Sequence, residues 1–97
     1  MRNEQVAEAF ANGETKGASG TMFIETAGGC PVVYSYGHHF PIAMLVLGGT
    51  FAYFNTDSYS HTTGRHKGYV RRALEARGIL FQKMDTDKLK EMVANKI

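Results

Sequence analysis

Ninety-seven residues at 43% hydrophobic and 21% charged describe one small globular domain, too apolar for a disordered chain and too short for a second core. A single cysteine excludes an internal disulfide, and the longest apolar run, Phe40 to Leu47, falls far short of the roughly 20 residues of a membrane-spanning helix. The formal charge of +2 is unevenly spread: residues 61–77 hold five cations against one anion, and the remainder is mildly acidic. The first twenty residues lack the unbroken apolar stretch of a signal peptide, so a soluble protein of the reducing cytoplasm is expected.

In chain order, Asn3 is placed to cap a helix over Glu4–Asn12, with Glu4 and Glu8 near its positive end and Gly13 to terminate it. Val6, Ala9 and Phe10 share one face of that helix at the i, i+3, i+4 spacing. Residues 13–20, GETKGASG, hold three glycines and small polar side chains and read as a flexible loop. Thr21–Ala27 and Pro31–Tyr36 are β-prone and joined by the Gly28-Gly29 turn. A second hairpin pairs His39–Leu47 with Thr50–Asn55 around Gly48-Gly49, a diglycine suited to a two-residue primed turn. Pairing outward from that turn sets Val46 opposite Phe51, Leu45 opposite Ala52, Met44 opposite Tyr53 and Ala43 opposite Phe54.

Both faces of this hairpin are then apolar. One can take the helices, and the other needs cover, for which a second copy of the chain, as a homodimer, is a candidate. Pro41 lacks an amide donor and favours an edge or a bulge at the start of its strand. The polar connection NTDSYSHTT, residues 55–63, offers Thr62 or Thr63 as cap for a helix ending near Arg77, where Gly78 stops it. Ile79–Met84 is available as a fifth strand. Asp85 or Thr86 then caps a last helix with Leu89, Met92 and Val93 on its apolar side.

The helix beginning near Thr62 is the basic one. At about 100° per residue, Tyr69, Val70, Ala73 and Leu74 gather on one arc together with His66. Lys67, Arg71 and Arg72 fall on the opposite arc with Arg65 at its edge, interrupted only by Glu75. Such a stripe suits nucleic-acid phosphates or an acidic protein surface, and it equally suits a solvated helix face. No recognition motif accompanies it. His66 reads as a core histidine with one ring nitrogen satisfied. His61, with Ser60, Thr62 and Thr63, is placed to reach an anion near the helix start, although the same residue types make caps and turns. The terminal helix, carrying Asp85, Asp87 and Glu91, could lie across the stripe and neutralise it.

Catalytic and metal signals are weak. Adjacent His38 and His39 point to opposite faces if they lie on a strand, and His61 and His66 miss the i, i+4 ligand spacing. Cys30 has no activating neighbour in sequence. A small ribonuclease would need an acid, a base and a cation, for which His38, His39 or His61 with Arg65 and Tyr59 supply residue types alone. No metal, cofactor or catalytic residue is expected.

The strings Tyr34-Ser35-Tyr36-Gly37-His38-His39-Phe40-Pro41-Ile42-Ala43 and Tyr59-Ser60-His61-Thr62-Thr63, followed by His66 and Tyr69-Val70-Arg71-Arg72-Ala73, carry a resemblance. Their pattern, YSYG-x-HFPIA, a hydrophobic hairpin, then YS-x-TT-x-x-H-x-x-YVRRA, resembles a family of small uncharacterised proteins of bacteriophages and other mobile elements. It spans about residues 32–74 and leaves Gly78–Ile97 outside. The resemblance implies a phage-encoded accessory protein in the host cytoplasm, a class that often binds host machinery, CRISPR effectors included.

The reading is therefore an α+β domain spanning 1–97. It has an N-terminal helix, an antiparallel sheet of about four strands built from two hairpins, the basic helix, an optional fifth strand and a C-terminal helix. The expected function is non-enzymatic binding of nucleic acid, or of a host nucleoprotein or defence complex, through Arg65, Lys67, Arg71, Arg72 and His61. The alternative is an anti-CRISPR-like inhibitor of host defence acting through an apolar sheet face, and the third reading is a small RNase-like enzyme.

Overall fold

The alternation of apolar residues along the chain builds one sheet covered on both faces. A computed structural model describes residues 1–96; Ile97 lies outside the described residues. Helix α1 (Asn3–Ala11) is followed by strands β1 (Gly17–Ala18), β2 (Met22–Ala27), β3 (Cys30–Ser35), β4 (Pro41–Val46) and β5 (Phe51–Asn55). Then come α2 (His61–Ala76), β6 (Leu80–Met84) and α3 (Thr86–Lys96). The strands lie in sequence order. All neighbours are antiparallel except β5 and β6, which are parallel because α2 carries the chain back across the sheet between them.

This α+β architecture has six strands in a mixed sheet, where the sequence led to about four antiparallel ones. The segment read as a flexible loop contributes β1, whose Gly17 and Ala18 pair with Ile24 and Phe23. Ile79–Met84 does add a strand, parallel to its neighbour. The second hairpin has the expected register at all four pairs, from Val46 opposite Phe51 to Ala43 opposite Phe54. Gly48 (φ 65°) and Gly49 (φ 88°) turn it in the left-handed region, and Thr50 N–H donates to the Leu47 carbonyl at 3.3 Å. Pro41 starts β4 beside a bulge. Val33 pairs with Ala43 but Tyr34 pairs with Pro41, so Ile42 is the extra residue.

Strand β4 is buried from end to end, and its alternation divides two cores. Ala43 and Leu45, with Ile42 out of phase at the bulge, join Val33, Ala52 and Phe54 under α1 and α2 through Val6, Phe10, Val70 and Leu74. Met44 and Val46, with Val32 and Tyr34, pack beneath α3 through Leu89, flanked by Met92 and Val93. The second apolar face is therefore covered by the chain's own last helix, where a partner subunit had been a candidate. Among the described residues no helix is long and apolar enough to cross a membrane.

Two caps differ from expectation because the side chains have other partners, and the third, at Asp85, is as expected. Ser60, two residues ahead of Thr62 and three ahead of Thr63, caps α2: its Oγ accepts from Thr63 N–H at 3.1 Å. Gln5 Oε1 accepts from the Arg2 amide at the start of α1, and Asn3 turns inward. Asp85 caps α3 by accepting from Lys88 N–H at 2.8 Å, while Asp57, from the β5–α2 connection, accepts from Thr86 N–H at 2.9 Å. These hydrogen bonds hold the Asp57 carboxyl below the usual range, against a smaller opposing effect of desolvation.

Candidate nucleic-acid interface

The geometry of α2 starts from its anchored side. His66 is 1% exposed and both of its ring nitrogens have partners: Ser35 Oγ lies 2.7 Å from Nδ1, and Asn3 Nδ2 lies 3.2 Å from Nε2. Asn3 Oδ1 accepts from Thr21 Oγ1 at 3.0 Å and from Ser19 Oγ, which leaves the amide nitrogen to face His66. Nε2 then accepts and Nδ1–H donates to Ser35, whose hydroxyl also meets Thr63 Oγ1 at 3.1 Å. Burial pushes the His66 pKa down, and a second ring proton on Nε2 would point at a donor. The ring is thus a neutral structural group that joins α1, β3 and α2. Tyr36 closes over it at 5.4 Å. That tyrosine has a φ of 67°, in a three-residue turn shut by Gly37 N–H to the Ser35 carbonyl at 2.8 Å.

With Thr63, His66, Val70, Ala73 and Leu74 turned inward, the opposite face of α2 is open. Along it runs a groove of about 850 Å³. Gly64 and Gly68 form its floor. Arg65, Arg71, Arg72, His61 and Tyr59 stand around it. Four of the five predicted contact residues are thereby brought together.

The fifth, Lys67, is not. Its ammonium donates to the Asp57 carbonyl at 2.7 Å, and burial lowers its pKa against the opposing pull of the Asp57 carboxylate. A long side chain at the margin of the stripe follows the nearest acceptor, here in the preceding connection.

Among the described residues no carboxylate lies within 4 Å of the Arg65, Arg71 or Arg72 guanidinium. Among the described residues, the one ion pair within 4 Å is His38 with Glu25, at 2.8 Å and remote in sequence from α2. Helix α3 does not cross the stripe, since it covers the other face of the sheet. Arg72 is positioned by its surroundings: its guanidinium lies 5.4 Å from the Tyr69 ring centre, and Nη1 passes 3.4 Å from where a Gly68 Cβ would sit. Arg72 also lines a smaller hollow with Glu4 and Glu8, which bound the positive surface there without coming within 4 Å of its guanidinium.

The groove includes residues that charge counting passes over. Tyr59 is 62% exposed, its ring braced edge-on by His39 at 5.4 Å and at a tilt by Phe40 at 5.6 Å. Helical spacing does carry a signal for the two glycines. His61, Gly64, Arg65, Gly68 and Arg72 follow i, i+3, i+4, i+7, i+11, the same line along the helix.

The other candidate chemistry is dispersed. His38 and His39 lie in the turn before β4 and not on a strand; His38 is paired with Glu25 and His39 with Tyr59. Cys30 starts β3 at the far end of the hairpin. Among the described residues, no three His, Cys, Asp or Glu side chains converge as a metal site. No family model, curated protein or solved structure matches the chain.

Proposed function

We propose that this protein is a non-enzymatic nucleic-acid-binding protein, acting on free nucleic acid or on a nucleoprotein complex through the open face of α2. The observation that supports it is the set of three exposed guanidiniums, Arg65, Arg71 and Arg72, around one groove with no carboxylate within 4 Å among the described residues. Unpaired cations aligned on a rigid helix are what phosphate binding requires, because each neutralised phosphate releases a condensed counterion. A helix anchored by a buried hydrogen-bond network presents those charges with no backbone left to order at the moment of binding. The phage-family resemblance fits a host nucleoprotein or defence complex as the setting. Action through the sheet face would require α3 to leave Val32, Tyr34, Met44 and Val46, which disfavours it against the helix.

The test is fluorescence-anisotropy binding to short labelled nucleic acids across a salt series. Wild-type affinity should fall steeply with salt, and Arg71→Ala/Arg72→Ala should weaken binding and flatten the log–log salt slope by about 2. Absence of binding at low salt, or a variant indistinguishable from wild type, would remove the reading.

A further inference from the structure

The groove differs from a helix built to read a duplex. In major-groove recognition the exposed centre of the helix carries long side chains that reach base edges. Here that centre is bare at Gly64, where nothing lies within 4 Å of an added Cβ, and at Gly68 it is covered only by the Arg72 guanidinium. The cations stand around the groove, as they would beside a strand lying lengthwise. The wall at the N-terminal end is Tyr59, an aromatic 62% exposed yet held by His39 and Phe40. A braced, solvent-facing ring offers a surface to a base that has left its stack; within a duplex the base faces are already occupied.

Resting on the function proposed above, we propose that the ligand is single-stranded nucleic acid, its phosphates on Arg65, Arg71 and Arg72 and a base stacked on Tyr59. Phosphates and an unstacked base face are common to single-stranded DNA and RNA, so the two share this chemistry. Charge complementarity selects the occupant and the aromatic wall selects its strandedness.

The experiment measures binding of the full chain to a short single-stranded DNA, the same sequence as RNA, and the DNA duplex. Wild type, Tyr59→Leu, Tyr59→Phe and Arg71→Ala/Arg72→Ala are compared. Leucine keeps the apolar contact with Phe40 but removes the π-face, so Tyr59→Leu should lose about tenfold on both single strands and leave duplex affinity unchanged. Tyr59→Phe should bind as wild type, which separates stacking from misfolding. If the duplex binds as tightly as the single strands, or Tyr59→Leu changes nothing while the arginine variant still weakens binding, the inference fails and the basic-helix function stands. If no nucleic acid binds, both fall.

Discussion

Replacing Gly64 by alanine should stabilise the protein. Glycine inside a helix costs about 0.8–1.0 kcal/mol relative to alanine, chiefly because the unfolded chain has more freedom to lose. Gly64 lies within α2, its φ is not positive, and an added Cβ would meet no heavy atom within 4 Å, so nothing in the folded state offsets the gain. At Gly68 the nearest atom is the mobile end of Arg72 at 3.4 Å, an ordinary contact, so that site should respond similarly. Gly64→Ala is expected to add about 1 kcal/mol, which in a domain of this size raises Tm by about 4–8 °C. The double variant should approach twice that. Urea denaturation monitored by circular dichroism gives the free energy, and a thermal melt gives the shift. A neutral or destabilised Gly64→Ala protein would refute the argument, because it would mean that position 64 is not a free helical site on an open face.

Three further outcomes follow from buried polar groups and close approaches. Asn55 is fully buried; its Nδ2 donates to the Pro41 carbonyl at 2.8 Å and to Thr86 Oγ1 at 2.9 Å, and its Oδ1 accepts from Asp57 N–H at 2.8 Å. Asn55→Leu keeps the volume and strands these partners, so it should cost about 2–4 kcal/mol in urea denaturation; a loss below about 1 would show the network to be dispensable. Gly28 has a φ of 56°, and a Cβ there would sit 2.0 Å from the Lys96 carbonyl oxygen, so Gly28→Ala should loosen the end of α3. Unchanged hydrogen exchange in α3 would contradict this. His66 has a folded pKa below its unfolded value of about 6.5, so the unfolded state binds more protons and stability falls as pH drops from that value toward the folded pKa. The slope should be positive, within the one-proton limit of about 1.4 kcal/mol per pH unit, and smaller in His66→Gln, whereas an equal slope in that variant would assign the acid sensitivity elsewhere.

Much of the fold was legible where one local rule decides. The diglycine at 48–49 sets the second hairpin to the residue, since a two-residue turn leaves one register. Gly78 ends α2 region as expected, with φ 67° and its N–H donating to the Glu75 carbonyl. What escaped depends on distant partners. Gly17 and Ala18 carry no β preference and become a strand because β2 offers an unpaired edge. The hairpin's two apolar faces were visible, but allotting α3 to one of them requires knowing where β6 sends the chain. Asn3 has the chemistry of a cap and is used 63 residues away at His66. In the candidate site, the charges of α2 could be placed by angle alone, while the withdrawal of Lys67 and the bracing of Tyr59 depend on the connection and turn that pack beside the helix.

Helix α2 is locally a poor one, and its defects share a face. Gly64 and Gly68 weaken it, and Arg65, Arg71 and Arg72 repel one another along the same exposed groove. Each compensating interaction lies elsewhere: the Ser60 cap, Thr63 and His66 on Ser35, Lys67 on the Asp57 carbonyl, and Val70 and Leu74 in the core. Had solubility been the only demand on the open face, alanine or glutamate at 64 and 68 would have served it with more stability and less repulsion. An uncovered Gly64 beside guanidiniums that, among the described residues, have no carboxylate within 4 Å, in a domain with only about 5–15 kcal/mol to lose, is the pattern expected when the face must admit a close, negatively charged ligand. The stability of Gly64→Ala and its affinity for nucleic acid should therefore move in opposite directions, and a variant that gains both would separate the glycines from binding.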